Sequence, residues 1–537
     1  MRIKEQNINK ILIWLLVISA VVRGVLAACL EFGNDEVYYW TYALYPDRSH
    51  FDHPPMVGLI IQFFSLNLLL DSEFFIRLAS VVFMTADTYI IYRIGKEIKD
   101  AQTGLYAALL YTASLYAFVI TGVFIMPDTP LMLFWLLAFW MAVIYFKRLS
   151  TQQHSDSYLI LFGFFAGLAM LSKYSGVFLW VGMGLYILIF DRKLLKSEAL
   201  YCALGISFLF VIPILGWNLQ YDFISFDFHS DRVGGGSVNF GTFGTELAGE
   251  FFYNNPVVFV LTVMALVAAF KGRLSMEKWT VRLILCTALP LIAVFLAFSL
   301  TRPTLPHWNA PAYVLLILLI SCMLRDKYPE ADGNFVLPKG IVTALAVMLF
   351  VVVVGAAEIQ TGFIPLDKHS EPEMLGRNDF TLDMYGWRQL ETKFAALREQ
   401  QIAEGVMNEA DGIIGDQWFP LANLDYYVAR PLGLKVMGLG WTYNLHKYLW
   451  INEERGGFHE GENYWFLSDS RYFKDPNVIY RGAFQSVDLV DIITIERGGK
   501  PAKNFYVYSC KGLMFVQPSL DEIMAQRKAA KTNPQEP

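Results

Sequence analysis

Ile11–Leu30, ILIWLLVISAVVRGVLAACL, opens directly onto Asn34-Asp35-Glu36-Val37-Tyr38-Tyr39-Trp40 and then onto Phe51-Asp52-His53-Pro54-Pro55. An apolar run of about twenty residues is long enough to cross the roughly 30 Å hydrocarbon core of a bilayer as one helix. The acidic pair and the acid–histidine cluster that follow it therefore fall beside a membrane. Dehydrating a free carboxylate costs several kcal/mol, so carboxylates kept at such a place imply a site filled by water or ligand.

Composition agrees with a membrane protein. The 537 residues are 55% hydrophobic and 15% aromatic with only 17% charged, and the mean hydropathy of +0.39 is too high for an ordinary soluble chain. The net charge of −6 is spread along the sequence, and Lys and Arg never gather into a basic face, which excludes a nucleic-acid partner. Arg2, Lys4 and Lys10 precede the first span without a small-residue cleavage site close by, so that span reads as a retained anchor.

Working outward from the anchor, apolar segments recur at 75–94, 102–120, 129–146, 158–172, 175–190, 198–217, 256–270, 281–300, 311–324 and 340–358, giving eleven crossings with residues 11–30. If these alternate, Arg2, Arg93, Lys147, Arg192, Arg273 and Arg325 share one side with most of the other basic residues. The positive-inside rule makes that side and the N-terminus cytoplasmic. The threading holds only if Met56–Leu70 does not cross, and this segment reads as an interfacial or re-entrant helix.

After residue 360 charge becomes regular and alternating stretches such as Tyr464-Trp465-Phe466-Leu467 and Asn504-Phe505-Tyr506-Val507-Tyr508 read as strands beside a helix near Tyr385–Glu404. The expected organisation is a transmembrane domain over 1–360, with outer loops 31–74, 121–128, 218–255 and 301–310, and an extracytoplasmic soluble α/β domain over 361–537. Residues from Arg527 onward read as a loose tail. Cys29, Cys202, Cys286, Cys322 and Cys510 have no metal-ligand spacing, and the soluble part holds only Cys510 and hence no internal disulfide.

The outer loops collect an unusual set of groups: Asp35, Glu36, Asp52, His53, Asp128, Lys173, Asp227-Phe228-His229-Ser230-Asp231-Arg232, Arg302 and His307-Trp308-Asn309. Acids with a few cations at one membrane face suit a phosphate-bearing headgroup and a base acting near it. A carrier or channel would more naturally place polar groups at mid-membrane. The carrier or channel stays as the alternative class, with an oligosaccharide ligase or polymerase as a third reading. Asp52 and His229 beside His53 are candidate ligands for a divalent metal. Gly234-Gly235-Gly236 give the 218–255 loop the freedom of a lid. No nucleotide-cradling Gly-Lys motif is present.

Asn34–Trp40, Phe51–Pro55, Pro127-Asp128-Thr129-Pro130-Leu131, Leu171-Ser172-Lys173-Tyr174, Trp217-Asn218 with Ser225-Phe226, and Leu305-Pro306-His307-Trp308-Asn309-Ala310-Pro311-Ala312-Tyr313 resemble, in this order, the bacterial branch of the dolichyl-phosphate-mannose protein mannosyltransferase family. That branch is of the glycosyltransferase family 39/83 type and includes the aminoarabinose transferase acting on lipid A. The resemblance implies a GT-C fold, a polytopic α-helical membrane protein of about eleven spans plus an interfacial helix. It also implies an inner-membrane enzyme, a monomer, that takes a sugar from a polyprenyl-phosphate donor and passes it to an envelope lipid, glycan or protein acceptor. The family's base, an acid of the first outer loop, maps to Asp35, with Glu36 competing; Asp128 also has a family position. His53, Lys173, Arg232 and Arg302 are the candidate phosphate cations. His53 stands where the lipid A enzymes tend to carry Lys, and replaces a permanent charge with one that titrates near pH 6–7. Tyr38, His307, Trp308 and Asn309 fall to the donor site, with Trp308 as a sugar or lipid wall. The tail matches only through Asp383-Met384-Tyr385-Gly386-Trp387 and Gly415-Asp416-Gln417-Trp418.

Overall fold

The structure, a computed structural model, describes residues 2–233, 237–331 and 333–532. Each of the eleven expected spans falls on helix: α1 (Ile8–Cys29), α4 (Glu73–Ile98), α5 (Ala101–Thr112) continued by a π turn at Tyr116–Ile120, α6 (Asp128–Ser150), α7 (Asp156–Ser172), α8 (Phe178–Phe190), α9 (Glu198–Gln220), α12 (Pro256–Phe270), α13 (Lys278–Ser299), α14 (Ala310–Lys327) and α15 (Lys339–Thr361). Among the described residues, α4, α6, α9, α13, α15 and the helical stretch Glu5–Cys29 are each long and apolar enough to cross a membrane. The helices Phe240–Tyr253 (α11) and α12 pass together as a pair bent by 103°. The helix α14 carries Arg325, Asp326 and Lys327 in its last turn, which dilutes its apolar run.

Between α1 and α4 lie α2 (Asn34–Leu44) and α3 (Met56–Phe64). The nine residues of α3 reach only about 13 Å, less than half a bilayer core. Leu66, Asn67 and Leu68 then take left-handed backbone angles, so no crossing helix forms over Met56–Leu70. The loop expected at 218–255 is mostly helix, α10 (Ile224–Val233) and α11; Gly234-Gly235-Gly236 lie outside the described residues.

By compactness the chain forms two units. The first comprises Met1–Ala28, Pro46–Asn218 and Ser225–Val352; the second comprises Cys29–Tyr45, Leu219–Ile224 and Val353–Pro537. In the first unit, helices approach through small residues, as in membranes generally. A Cβ on Gly95 of α4 would lie 2.8 Å from Gly104 Cα of α5, and one on Gly163 of α7 would lie 2.3 Å from Ala203 O of α9. Cationic side chains pair at the helix ends away from Asp128 and Lys173: Lys147 with Glu97 at 2.9 Å, Arg325 with Asp100 at 2.7 Å, and Lys99 with Asp326.

The second unit holds a five-stranded sheet of β1 (Gly412–Gly415), β2 (Val436–Gly438), β3 (Tyr464–Asp469), β4 (Phe484–Arg497) and β5 (Lys500–Leu513), in the order β2-β1-β3-β5-β4. β1 is parallel to β2 and β3; β5 is antiparallel to β3 and β4. Helix α16 (Trp387–Ala403) packs its Trp387, Leu390 and Phe394 inward. The motif Asp383–Trp387 serves this packing. Asp383 is ion-paired with Arg471, Gly386 turns the chain at φ +90° where a Cβ would strike Ile495, and Lys503 Nζ sits 4.2 Å from the centre of the Trp387 ring. The carboxylate of Glu31 accepts the backbone N–H groups of Trp387 (2.9 Å) and Arg388 (3.2 Å), filling two donors that an α-helix start leaves open.

Candidate active site

In the first unit the motifs converge on one ion pair. Asp128 is the first residue of α6, where the helix dipole favours negative charge. Lys173 leaves α7 in an extended conformation and returns its ammonium to Asp128 Oδ2 at 2.7 Å. The side chains are 1% and 10% exposed, so Lys173 is not a lysine snorkelling at a span end. Tyr116, on the π turn, donates its hydroxyl to Asp128 Oδ1 at 2.9 Å. π turns recur at functional sites.

Two histidines feel this pair. Burial, aided by the neighbouring charges of Lys173 and His229 and opposed by Asp52 and Asp128, pulls His53 down to about 3. Burial and Lys173, against Asp128, pull His307 down to about 4. Both imidazoles are therefore neutral at physiological pH. That corrects the expectation that His53 titrates near pH 6–7: the adjacent lysine and the loss of water both disfavour a second cation.

Helix α10 grips the His53 turn from one face. Ser225 donates its hydroxyl to the carbonyl of His50 at 3.1 Å, and His229 Nε2 lies 2.8 Å from the carbonyl of Asp52. The Phe51 and Phe228 rings meet at 4.7 Å and Tyr174 packs edge-on against His229 at 5.3 Å. This geometry also tests the metal reading. His229 is directed at the backbone of Asp52, and among the described residues no three His, Cys, Asp or Glu side chains gather as ligands. The residues present do not fit a metal centre at Asp52 and His229.

Asn309 and Trp308 are placed by packing. Asn309 is buried and donates its amide to Glu250 of α11, whose other oxygen accepts the Tyr313 hydroxyl at 2.7 Å. Thr304 donates to Glu246, one turn earlier, at 2.8 Å. A Cβ on Gly249 would overlap Pro306. Helix α11 is thus pinned to the 301–310 loop. Trp308 packs on Phe295 at 5.6 Å, and Arg302 is half-buried. The side chain of Arg232 lies outside the described set. Sequence reading missed Tyr116 and Glu250, each a single polar group in a helix with nothing nearby to mark its partner.

The second unit carries the other expected residues. Asp35 and Glu36 are in the first turn of α2. Glu36 is buried and accepts the Gly33 N–H at 2.9 Å, whereas Asp35 is exposed. Tyr38 is 1% exposed. Its ring lies 5.0 Å from Trp418 and 5.8 Å from His446, and its hydroxyl accepts the Lys447 N–H at 3.3 Å. It is a core residue of this unit and not a donor-binding surface. Tyr427 donates no surface either; its hydroxyl accepts the Phe32 N–H at 2.6 Å. The helix bearing Asp35 is therefore built into the sheet domain.

Residues 52–217 match the family model of dolichyl-phosphate-mannose-protein mannosyltransferases. Lipid A galacturonosyltransferase RgtD of Rhizobium johnstonii is 21% identical over 410 residues, 75% of this chain and 81% of that protein. The crystal structure of ArnT from Cupriavidus metallidurans bound to undecaprenyl phosphate superposes with a TM-score of 0.59 at 12% identity, covering 93% of this chain and 97% of that one. Its apo form gives the same TM-score at 13% identity. The resemblance carried by the motifs is thereby borne out: in sequence and in fold, the chain resembles the dolichyl-phosphate-mannose protein mannosyltransferase-like and ArnT-like glycosyltransferases of the GT-C type.

Proposed function

We propose that this protein is a glycosyltransferase of the bacterial inner membrane that moves a sugar from a polyprenyl-phosphate carrier to an envelope acceptor at the extracytoplasmic face. The observation that carries this reading is the Asp128–Lys173 pair, buried at a helix end with neutral His53 and His307 beside it. An ammonium held in place and two imidazoles form a receptor for a phosphate monoester leaving group. The undecaprenyl phosphate in the ArnT crystal structure and the lipid A acceptor of the Rhizobium relative support the donor and acceptor classes.

In the reaction, an acceptor oxygen attacks the anomeric carbon from the side opposite the lipid phosphate. The new C–O bond forms as the bond from the anomeric carbon to the phosphate oxygen breaks, and that electron pair leaves on the phosphate, inverting the anomeric centre. Asp35 takes the acceptor proton. Its exposure, beside a Glu36 occupied in closing the helix start, favours it as the base. Lys173 answers the charge growing on the phosphate, and Asp128 orients Lys173.

The test is Asp35→Asn in the full-length protein, given labelled polyprenyl-phosphate sugar and a crude membrane acceptor extract. Transfer should fall by about 10²–10⁴-fold, with the melting temperature and donor binding unchanged. Retained transfer would remove Asp35 from the mechanism. Failure of the wild type to form any glycoconjugate while still binding donor would identify a carrier.

A further inference from the structure

The second unit contains a cavity of about 690 Å³, inside the range of roughly 300–1,000 Å³ typical of small-molecule sites. It opens at the carboxyl ends of parallel strands. Asp416 directly follows β1, and Leu439-Gly440-Trp441 directly follow β2. The cavity lies where the carboxyl ends of β1 and β2 adjoin, and open α/β sheets bind ligands outside the carboxyl ends of their strands.

The lining has a distinct character. Trp441 is 65% exposed, held edge-on by Tyr443 at 5.1 Å, and it starts a short helix whose Asn444 also faces the cavity. Of Trp418, Tyr426, Tyr427 and Trp441, the two tyrosines are core and Trp418 is stacked on His446 at 5.6 Å; Trp441 alone of these four is exposed. Polar groups surround it. Asp416 is paired with Lys474, Gln517 accepts the Gly440 N–H at 3.2 Å, and Arg481 is exposed at the rim. Tyr480, 5% exposed, also lines the cavity, and its buried hydroxyl has no hydrogen-bond partner.

We infer that this cavity is a saccharide-binding site that takes the glycan portion of the acceptor. A flat exposed indole matches the C–H face of a pyranose, and the carboxylate and amides around it match its hydroxyls. Arg481 adds a cation for a phosphate or carboxylate substituent on the sugar. The inference rests on the transferase reading for what the saccharide belongs to; the binding itself does not.

Two measurements on the full-length protein in detergent decide it. In saturation-transfer NMR, a glucosamine disaccharide with and without a phosphate substituent should show contact with the wild type. The signal should vanish in Trp441→Ala and return in Trp441→Phe, and Arg481→Ala should weaken only the phosphorylated probe. In the transfer assay, Trp441→Ala should raise the acceptor KM about tenfold, equivalent to about 1.4 kcal/mol, and leave the donor KM as it is. Absence of wild-type signal for both probes, or signal retained in Trp441→Ala, overturns the site. So does an unchanged acceptor KM. A wild type that binds the disaccharide but transfers nothing would instead overturn the transferase reading and leave the site standing.

Discussion

The two acidic centres expected to work together are built in opposite ways. Asp128 is sealed into the first unit, where Lys173 and Tyr116 occupy both of its oxygens. Asp35 is exposed on a helix of the second unit, and what holds that helix is a set of aromatic contacts, Tyr38 with Trp418 and His446 and Trp40 with Tyr426. The first arrangement suits a charge that must be fixed in place beforehand, as a phosphate receptor requires. The second suits a base that must meet a variable, incoming acceptor.

Breaking the ion pair should have the largest effect. Lys173→Met leaves the Asp128 carboxylate buried without its cation, which costs about 3–5 kcal/mol and should lower the melting temperature of the purified protein sharply. Adding Asp128→Asn should restore most of that stability and none of the transfer. Full activity in the double variant would show that the pair is only structural.

Tyr38→Ala should come next. Removing a ring enclosed by Trp418, Tyr42 and His446 costs about 3 kcal/mol, and the loss belongs to the second unit. Hydrogen exchange should quicken in α2 and at Trp418–Leu424 while α4 and α6 keep their protection. Unchanged exchange in α2 would mean that the acidic helix stands without the sheet domain.

The same contrast marks how far sequence reaches. The six long helices were legible because about twenty apolar residues admit few other fates in a bilayer, and Met56–Leu70 read as non-crossing because a crossing there would put Arg93, Lys96 and Lys99 on the outer side. Asp128 and Lys173 each stand out in the sequence, but not as partners: forty-five positions separate them, and only the antiparallel packing of α6 and α7 joins their ends. Glu250 went unseen because an acid in an amphipathic helix looks like a solvated face until Asn309 and Tyr313 are found on it. Tyr38 misled for a related reason. Val37–Trp40 follows a membrane span, so its aromatic run reads as a site at the membrane face, and its real partners lie nearly four hundred residues later in Trp418 and His446.

The smallest effect concerns protons at the first unit. His53 and His307 are held down to about 3 and about 4, against about 6.5 in an unfolded chain. Between those limits the unfolded chain binds protons that the folded one refuses, so stability rises with pH through this window and is lost as pH falls below 6.5. From pH 7 to pH 5.5 the loss should be about 1 kcal/mol per histidine, read as a falling melting temperature; His53→Gln and His307→Gln should each flatten the slope. Bound polyprenyl phosphate changes the balance. A phosphate against these imidazoles favours their protonated forms, raises both folded values toward the unfolded one, and should flatten the same slope in the wild type. A slope that donor leaves untouched would place the phosphate away from His53 and His307, and would leave Lys173 without the neighbours that make its pocket a receptor for the departing group.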